Sequence, residues 1–490
     1  MTSTTGNKLG VISLAALVVS AMIGGGVYNL PQNMAQNSSA GAIIIAWIIT
    51  GIGMWFLAST FSTLADVKPE MTAGIYGYGQ LGFGRFTGFL IAWGYWICNC
   101  CANVGYAVLL MDSLNYFFPP HFQGGNNLPS VIGGSIMIWL MYFVVMAGVK
   151  QTAILNNIGV IGKLLPLGIF VLILFFFFRF SMFSTDFWGH DVIPALMDKD
   201  LGGIFPQVKS TMLVTLWVFI GIEGAVVISS KARSQKDVGR ATIIGFLLCW
   251  TTYVLLSLLP LGRFSQGQLA VMSAPSTGVV LDGVVGNWGN ILMNIGVMIS
   301  ILSSWLVWTL MLASLPCEAA KDGTFPKVFA RENNNESPSF SLLMSSILMQ
   351  IFMIIVYFSN NAWNLMLSIT GVMILPCYFL CTLYLWKIAR KEEDFKNNSN
   401  RKIHAALLTG VVGTLYAVWL IYAAGLGLML VAAIIYSLGI PIFWMARKEA
   451  GAISQINHVE KLFMVLIVVA AVVGIFYTAA NFTSLMGGQA

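Results

Sequence analysis

The sequence predicts an all-α, polytopic membrane protein of about thirteen transmembrane helices, and three observations lead there. Only 9% of the 490 residues are charged and 58% are hydrophobic, whereas soluble domains carry roughly 25% charged residues. Mean hydropathy is +0.82. Apolar runs near the ~20 residues needed to cross a bilayer recur from residue 9 almost to the last residue, so one polytopic domain accounts for the chain better than several soluble ones.

The net charge of +6 comes from basic residues in the loops. Cys98, Cys100, Cys101, Cys249, Cys317, Cys377 and Cys381 all lie in apolar stretches and read as small packing residues. His121, His190, His404 and His458 are scattered over loops or span ends, so neither a metal site nor a cofactor is expected. A nucleophile–base pair, a phosphate loop and a nucleic-acid motif are also absent from the sequence, which argues against an enzyme or a nucleic-acid partner. The expected partners are the bilayer and a small molecule.

The first span, about 9–35, lacks the basic front and cleavage site of a signal peptide and is read as retained. Gly24-Gly25-Gly26 interrupts it shortly before Pro31. Three glycines in a helix cost about 3 kcal/mol relative to alanines. Either an unwound segment presents backbone groups to a substrate, or small residues allow close helix packing.

Span 2 covers about 40–65 and span 3 about 85–117. In span 3, Trp96, Asn99, Cys100, Asn103 and Tyr106 fall along one helical stripe, which is either a polar pocket wall or interhelical glue. Spans 4 and 5 cover 129–148 and 156–180, and Lys163 sits inside the latter. It either snorkels to an interface or places an ammonium in the interior. The loop 181–205 carries four Asp and suits the outer side.

Span 6, about 206–230, is interrupted at Gly221-Ile222-Glu223-Gly224-Ala225. A carboxylate within an apolar span is costly unless neutralised, paired or hydrated, so Glu223 is a functional candidate, with a protonated structural strut as the alternative. Trp217 precedes it by six residues. Spans 7 and 8 cover 241–262 and 286–319, and the latter places Trp305 and Trp308 one turn apart, suited to a cation–π contact. Spans 9 and 10 cover 339–359 and 361–387, followed by a mixed-charge linker at 387–402 and spans at 403–424, 426–446 and 461–483.

Breaks five spans apart predict a 5+5 inverted repeat of spans 1–5 and 6–10, with broken helices 1 and 6. Residues 1–390 would form this core and 391–490 the peripheral spans 11–13. With the N-terminus in the cytoplasm, all but four of the 25 Lys and Arg residues lie inside; the four are Arg179, Lys199, Lys209 and Arg263. The odd span count then puts the C-terminus outside.

Several motifs look familiar. Gly24-Gly25-Gly26-Val27 with Leu30-Pro31, Thr215 through Glu223, Ala319 through Pro326, and Tyr95-Trp96 through Phe117-Phe118-Pro119 resemble the basic amino acid/polyamine antiporters of the amino acid–polyamine–organocation superfamily. Within that group Asn29–Ala35 and Leu64–Gly79 look most like arginine/ornithine antiporters.

The resemblance implies a LeuT-like fold in a bacterial cytoplasmic membrane and sodium-independent exchange of a cationic amino acid, arginine, for a product such as ornithine. It assigns the substrate carboxylate to Ile23, Gly24, Gly25 and Gly26, and the α-ammonium to carbonyls near Trp217 and Ile220. Trp217 would cover the substrate, with Asn103 and Trp308 on its cationic end, Asn99 on the same stripe, and Ser368 and Thr370 nearby. Glu223 would carry pH or proton coupling, and Lys163 would replace a sodium ion. Ala21 stands where arginine/agmatine relatives have Asn. The alternatives are arginine/agmatine, lysine/cadaverine or histidine/histamine exchange, or an amino-acid receptor on the same fold. Dimers occur in the group, so a homodimer is compatible.

Overall fold

A computed structural model describes residues 10–68, 75–223, 233–335, 337–392, 395, 400–453 and 456–481. Among the described residues there is no strand. The chain begins with α1 (Val11–Met22), a 3-10 turn (Gly25–Asn29) and α2 (Leu30–Ala35). Next come α3 (Ala40–Val67), the short α4 (Ile75–Phe83), α5 (Arg85–Asn115), α6 (Leu128–Met146), α7 (Val149–Phe177) and α8 (Phe180–Phe183). The second half holds α9 (Ile204–Trp217), α10 (Gln235–Leu258), α11 (Gln266–Ala270), α12 (Ser276–Val285) and α13 (Asn287–Lys321). It ends with α14 (Ser339–Val356), α15 (Ala362–Lys391), α16 (Asn400–Glu449) and α17 (His458–Ala480).

Nine of the described helices are long and apolar enough to cross a membrane, or ten if α1 and α2, bent by 51°, form one broken span. The expected thirteen is therefore not reached by helices taken singly, and the reasons are local. In α7 only Ile161–Phe177 contributes to the described apolar stretch. Helix α9 stops at Trp217 in a turn that runs to Glu223, and the Gly224-Ala225 part of the expected break lies outside the described residues. Helix α16, with 50 residues, would be about 75 Å long, more than twice the ~30 Å hydrocarbon core. Its backbone leaves the helical region at Gly425 (φ 81°, ψ 158°), between the two spans expected there.

Burial separates centre from periphery. In their most apolar windows α5 is 83% and α15 is 72% buried, against 22% for α16 and 17% for α17. The exposed faces of α17, with Val465, Leu466 and Phe476, suit lipid. Helix α16 packs back onto the centre: Tyr436 Oη donates to the Met373 carbonyl (2.9 Å) and Trp93 Nε1 to that of Ile435 (3.0 Å). Glu460, at the start of α17, accepts from the backbone N–H of Phe86 (3.0 Å) and from that of Asn457 (3.1 Å). One carboxylate thereby satisfies otherwise unpaired donors at the first turn of two helices.

Basic residues gather at the same end as Phe86. Arg85 reaches the Asp322 carbonyl (3.4 Å), Lys387 donates to that of Gly82, and Lys321 pairs with Glu318 (2.8 Å) and Glu332 (2.7 Å). The hydrogen bond from Lys321 holds the Glu332 carboxyl below its ordinary range.

Candidate functional site

Where α1 ends, Ile23 (φ −81°, ψ 90°) and Gly24 (φ −101°, ψ −161°) are extended, and the 3-10 turn restarts the chain with no side-chain cap. Each glycine of the triplet meets a different wall. A β-carbon on Gly24 would lie 2.2 Å from the Tyr106 hydroxyl, on Gly25 2.4 Å from Ile301 Cγ1, and on Gly26 1.9 Å from Trp217 Cζ3. Close packing is thus one reason for the glycines, because no side chain fits at any of the three.

The second break touches the first. After α9, Gly221 adopts φ +108°, and a β-carbon there would lie 3.1 Å from the Ala21 carbonyl and 3.1 Å from the Trp308 ring. Trp308 Nε1 donates to the Ala21 carbonyl (3.3 Å). Ile220, buried beside it, donates its N–H to the Trp217 carbonyl (3.2 Å). Trp217 in turn packs edge-on against Trp363, with ring centroids 5.2 Å apart and planes at 80°. Ala21, Gly26, Trp217, Ile220, Gly221 and Trp308 therefore form one buried junction.

Lys163 is fully buried, which rules out snorkelling. Its Nζ donates to the Ser20 carbonyl (3.1 Å), Ser20 Oγ (3.2 Å) and Ser304 Oγ (2.9 Å). Three acceptors match the three protons of an ammonium. Ser304 Oγ also reaches the Ile23 carbonyl (3.4 Å), and Tyr28 Oη donates to the carbonyl of Lys163 (2.9 Å). The ammonium therefore ties α7 and α13 to the last turn of α1, just before the glycines. Among the described residues no carboxylate pairs with it.

Glu223 is equally buried, and among the described residues three others donate to its carboxylate. Tyr95 Oη approaches Oε1 (2.9 Å), while Tyr378 Oη (3.0 Å) and the Gly221 N–H (3.2 Å) approach Oε2. The side chain links the second break to α5 and α15. In Glu223→Gln an amide NH₂ would face a donor on one side. The expected result is an exchange rate whose dependence on pH is flattened relative to wild type; superimposable profiles would leave Glu223 a strut.

Helices α5 and α15 pack along their length, with Gly94 at the Met373 carbonyl and Gly105 beside Met366 and Trp363. This register sets Asn99 and Asn103 at the level of Leu367–Thr370. Asn99 Nδ2 donates to the Tyr95 carbonyl (2.8 Å), but its Oδ1 has no partner. Asn103 is fully buried, and among the described residues neither its Nδ2 nor its Oδ1 has a hydrogen-bond partner. Thr370 Oγ1 is likewise unpaired, and Ser368 is half-buried. A buried polar group left without a partner costs about 1–3 kcal/mol, so these groups fit a place that a polar ligand completes.

The stripe on α5 does not hold together throughout. Trp96 donates to Ser345 Oγ (2.8 Å) and packs on Phe325 and Phe329, away from the breaks. Sequence reasoning assigned no role to Tyr95, Tyr378, Ser20, Ser304 or Trp363. Tyr95 carried a usable signal, one turn before Asn99 on the same face. The others come from distant helices.

Residues 9–446 match the family model described as amino acid permease. The chain is 61% identical over 471 residues, 96% of its length and 98% of the relative's, to a provisionally named amino-acid transporter of Clostridium perfringens. It is 54% identical to an arginine/agmatine antiporter of Chlamydia abortus, covering 91% of each chain. It is 50% identical to one of Chlamydia trachomatis serovar L2, covering 96% of this chain and 97% of that protein. With nearly its whole length matched and its helices bearing out a multi-pass membrane protein, this chain belongs to the amino acid permease family.

Proposed function

We propose that this protein is an alternating-access antiporter that exchanges arginine for a cationic product across a bacterial cytoplasmic membrane. The observation that carries the reading is the contact between the two broken helices, Gly221 against Ala21, with the unpartnered amide of Asn103 on the neighbouring central helix. Broken helices at mid-depth present backbone groups to the charged ends of an amino acid. In this reading the segment Ile23–Gly26 takes the carboxylate, and carbonyls near Trp217 and Ile220 take the α-ammonium. Asn103, with Asn99, Ser368 and Thr370, faces the cationic end, and Trp308 braces both breaks.

Spans 1–5 and 6–10 are the two halves that rock about this junction, with 391–490 peripheral. The basic end that carries Arg85, Lys321 and Lys387 faces the cytoplasm. The buried ammonium of Lys163 supplies a fixed positive charge beside the first break, so exchange does not need sodium.

The counter-substrate has two readings. The motif resemblance points to ornithine, and the names of the Chlamydia relatives point to agmatine. Proteoliposomes preloaded with one or the other should take up labelled arginine, and the preload that drives faster uptake is the partner. Replacing sodium with choline should leave the rate unchanged. Equal uptake into empty vesicles would overturn obligatory exchange.

A further inference from the structure

At the end of the bundle opposite Arg85 and Lys321, a cavity of ≈ 590 Å³ opens between α2, the end of α5, the 272–275 loop and the starts of α13 and α15. Such a volume is within the range of small-molecule sites. Trp363 lines it and also packs on Trp217, so this indole separates the cavity from the junction of the two breaks. Among the described residues Asp112 is the one carboxylate in the lining, and no Lys, Arg or His joins it. Among the described residues no ammonium or guanidinium pairs with it. Its Oδ1 accepts from the Gly124 N–H (2.9 Å), leaving the other oxygen to a ligand.

Two further lining groups are unsatisfied. Among the described residues Asn294, 1% exposed, has no partner for its Oδ1, and Trp363, 8% exposed, none for its Nε1. Asn29 and Asn361 add amides to the same wall.

We propose that this cavity is a second, outer site that holds an organic cation on Asp112 before or after it passes Trp363. This rests on the reading of the protein as an exchanger of cationic substrates and adds a place and a preference to it. With one carboxylate and no basic side chain, the site favours an amine or guanidinium that lacks a carboxylate of its own, so it holds agmatine better than arginine. A metal ion is a poorer fit, since hard cations need several converging oxygens and only one carboxylate is present.

The test is equilibrium dialysis of labelled agmatine against the purified full chain in detergent. Wild type should show two classes of site. Asp112→Asn keeps an acceptor for the Gly124 N–H but removes the charge, and should weaken one class about tenfold while leaving the other in place. Asp112→Glu should retain both. Identical isotherms for wild type and Asp112→Asn would overturn the outer site, as would a loss shared equally by Asp112→Glu. If counterflow fails while the binding difference stands, the exchange reading falls and the site survives; counterflow without the binding difference does the reverse.

Discussion

Gly26→Ala should reach the membrane and fail to exchange. The added methyl would lie 1.9 Å from Trp217 Cζ3 and 2.9 Å from Trp363 Cη2, so Trp217 has to leave the break. It has little room to do so, because the edge of Trp363 already rests on it. Overpacking of this kind costs typically about 1–3 kcal/mol, and here the strain falls on the ring that covers the first break. Counterflow in proteoliposomes should drop by about tenfold or more, at near-normal abundance in the membrane. A second substitution, Trp217→Leu, removes the obstructing atoms and should restore part of the loss if the fault is steric. Normal exchange by Gly26→Ala alone would show that the contact is not required.

Lys163→Met should be both less stable and inactive. The thioether has nearly the volume of the lysine stem but gives nothing to the Ser20 carbonyl, Ser20 Oγ or Ser304 Oγ, which now share one ammonium. A hydrogen bond to a charged group contributes about 1.5–3 kcal/mol, and the loss here is expected to be on the order of 3 kcal/mol. Thermal unfolding in detergent should show a clear fall in midpoint. Lys163→Arg should not rescue it, because a planar guanidinium does not reproduce three pyramidal donors. An unchanged midpoint with unchanged exchange would make the ammonium idle.

The membrane class, the approximate spans and the two breaks were legible because each leaves a local mark: long apolar runs, adjacent glycines, a lone carboxylate. Glu223 and Lys163 stood out for the same reason, since an ionisable residue in an apolar run is conspicuous wherever its partners are. The partners themselves were hidden. Tyr378 lies 155 positions from Glu223, and Ser304 lies 141 from Lys163, and a tyrosine or serine in a membrane helix is too ordinary to mark itself. The role of Trp308 shows the other limit. One-turn spacing from Trp305 suggested a cation–π contact, but only the packing of α13 against the last turn of α1 reveals the Ala21 carbonyl that the Trp308 indole N–H holds. The cavity also escaped notice, because its polar lining comes from segments far apart in the chain, and Asp112, in the last turn of α5, stands at a span end rather than within an apolar run.

Helix α5 is unbroken over its 31 residues, unlike the two segments it faces. Glu460 fixes its first turn, Tyr95 meets Glu223, Tyr106 fills the space beside Gly24, and Asp112 stands in the cavity. The levels of Asp112 and Asn103 are about 14 Å apart along its axis, so a cation passing inward would stay beside one rigid rod for the whole transfer. In the proposed exchange, where the two broken segments change shape, α5 would be the stator. The spacing along it between the Asp112 carboxylate and the Asn103 amide would then set how long a cation can be and still touch both.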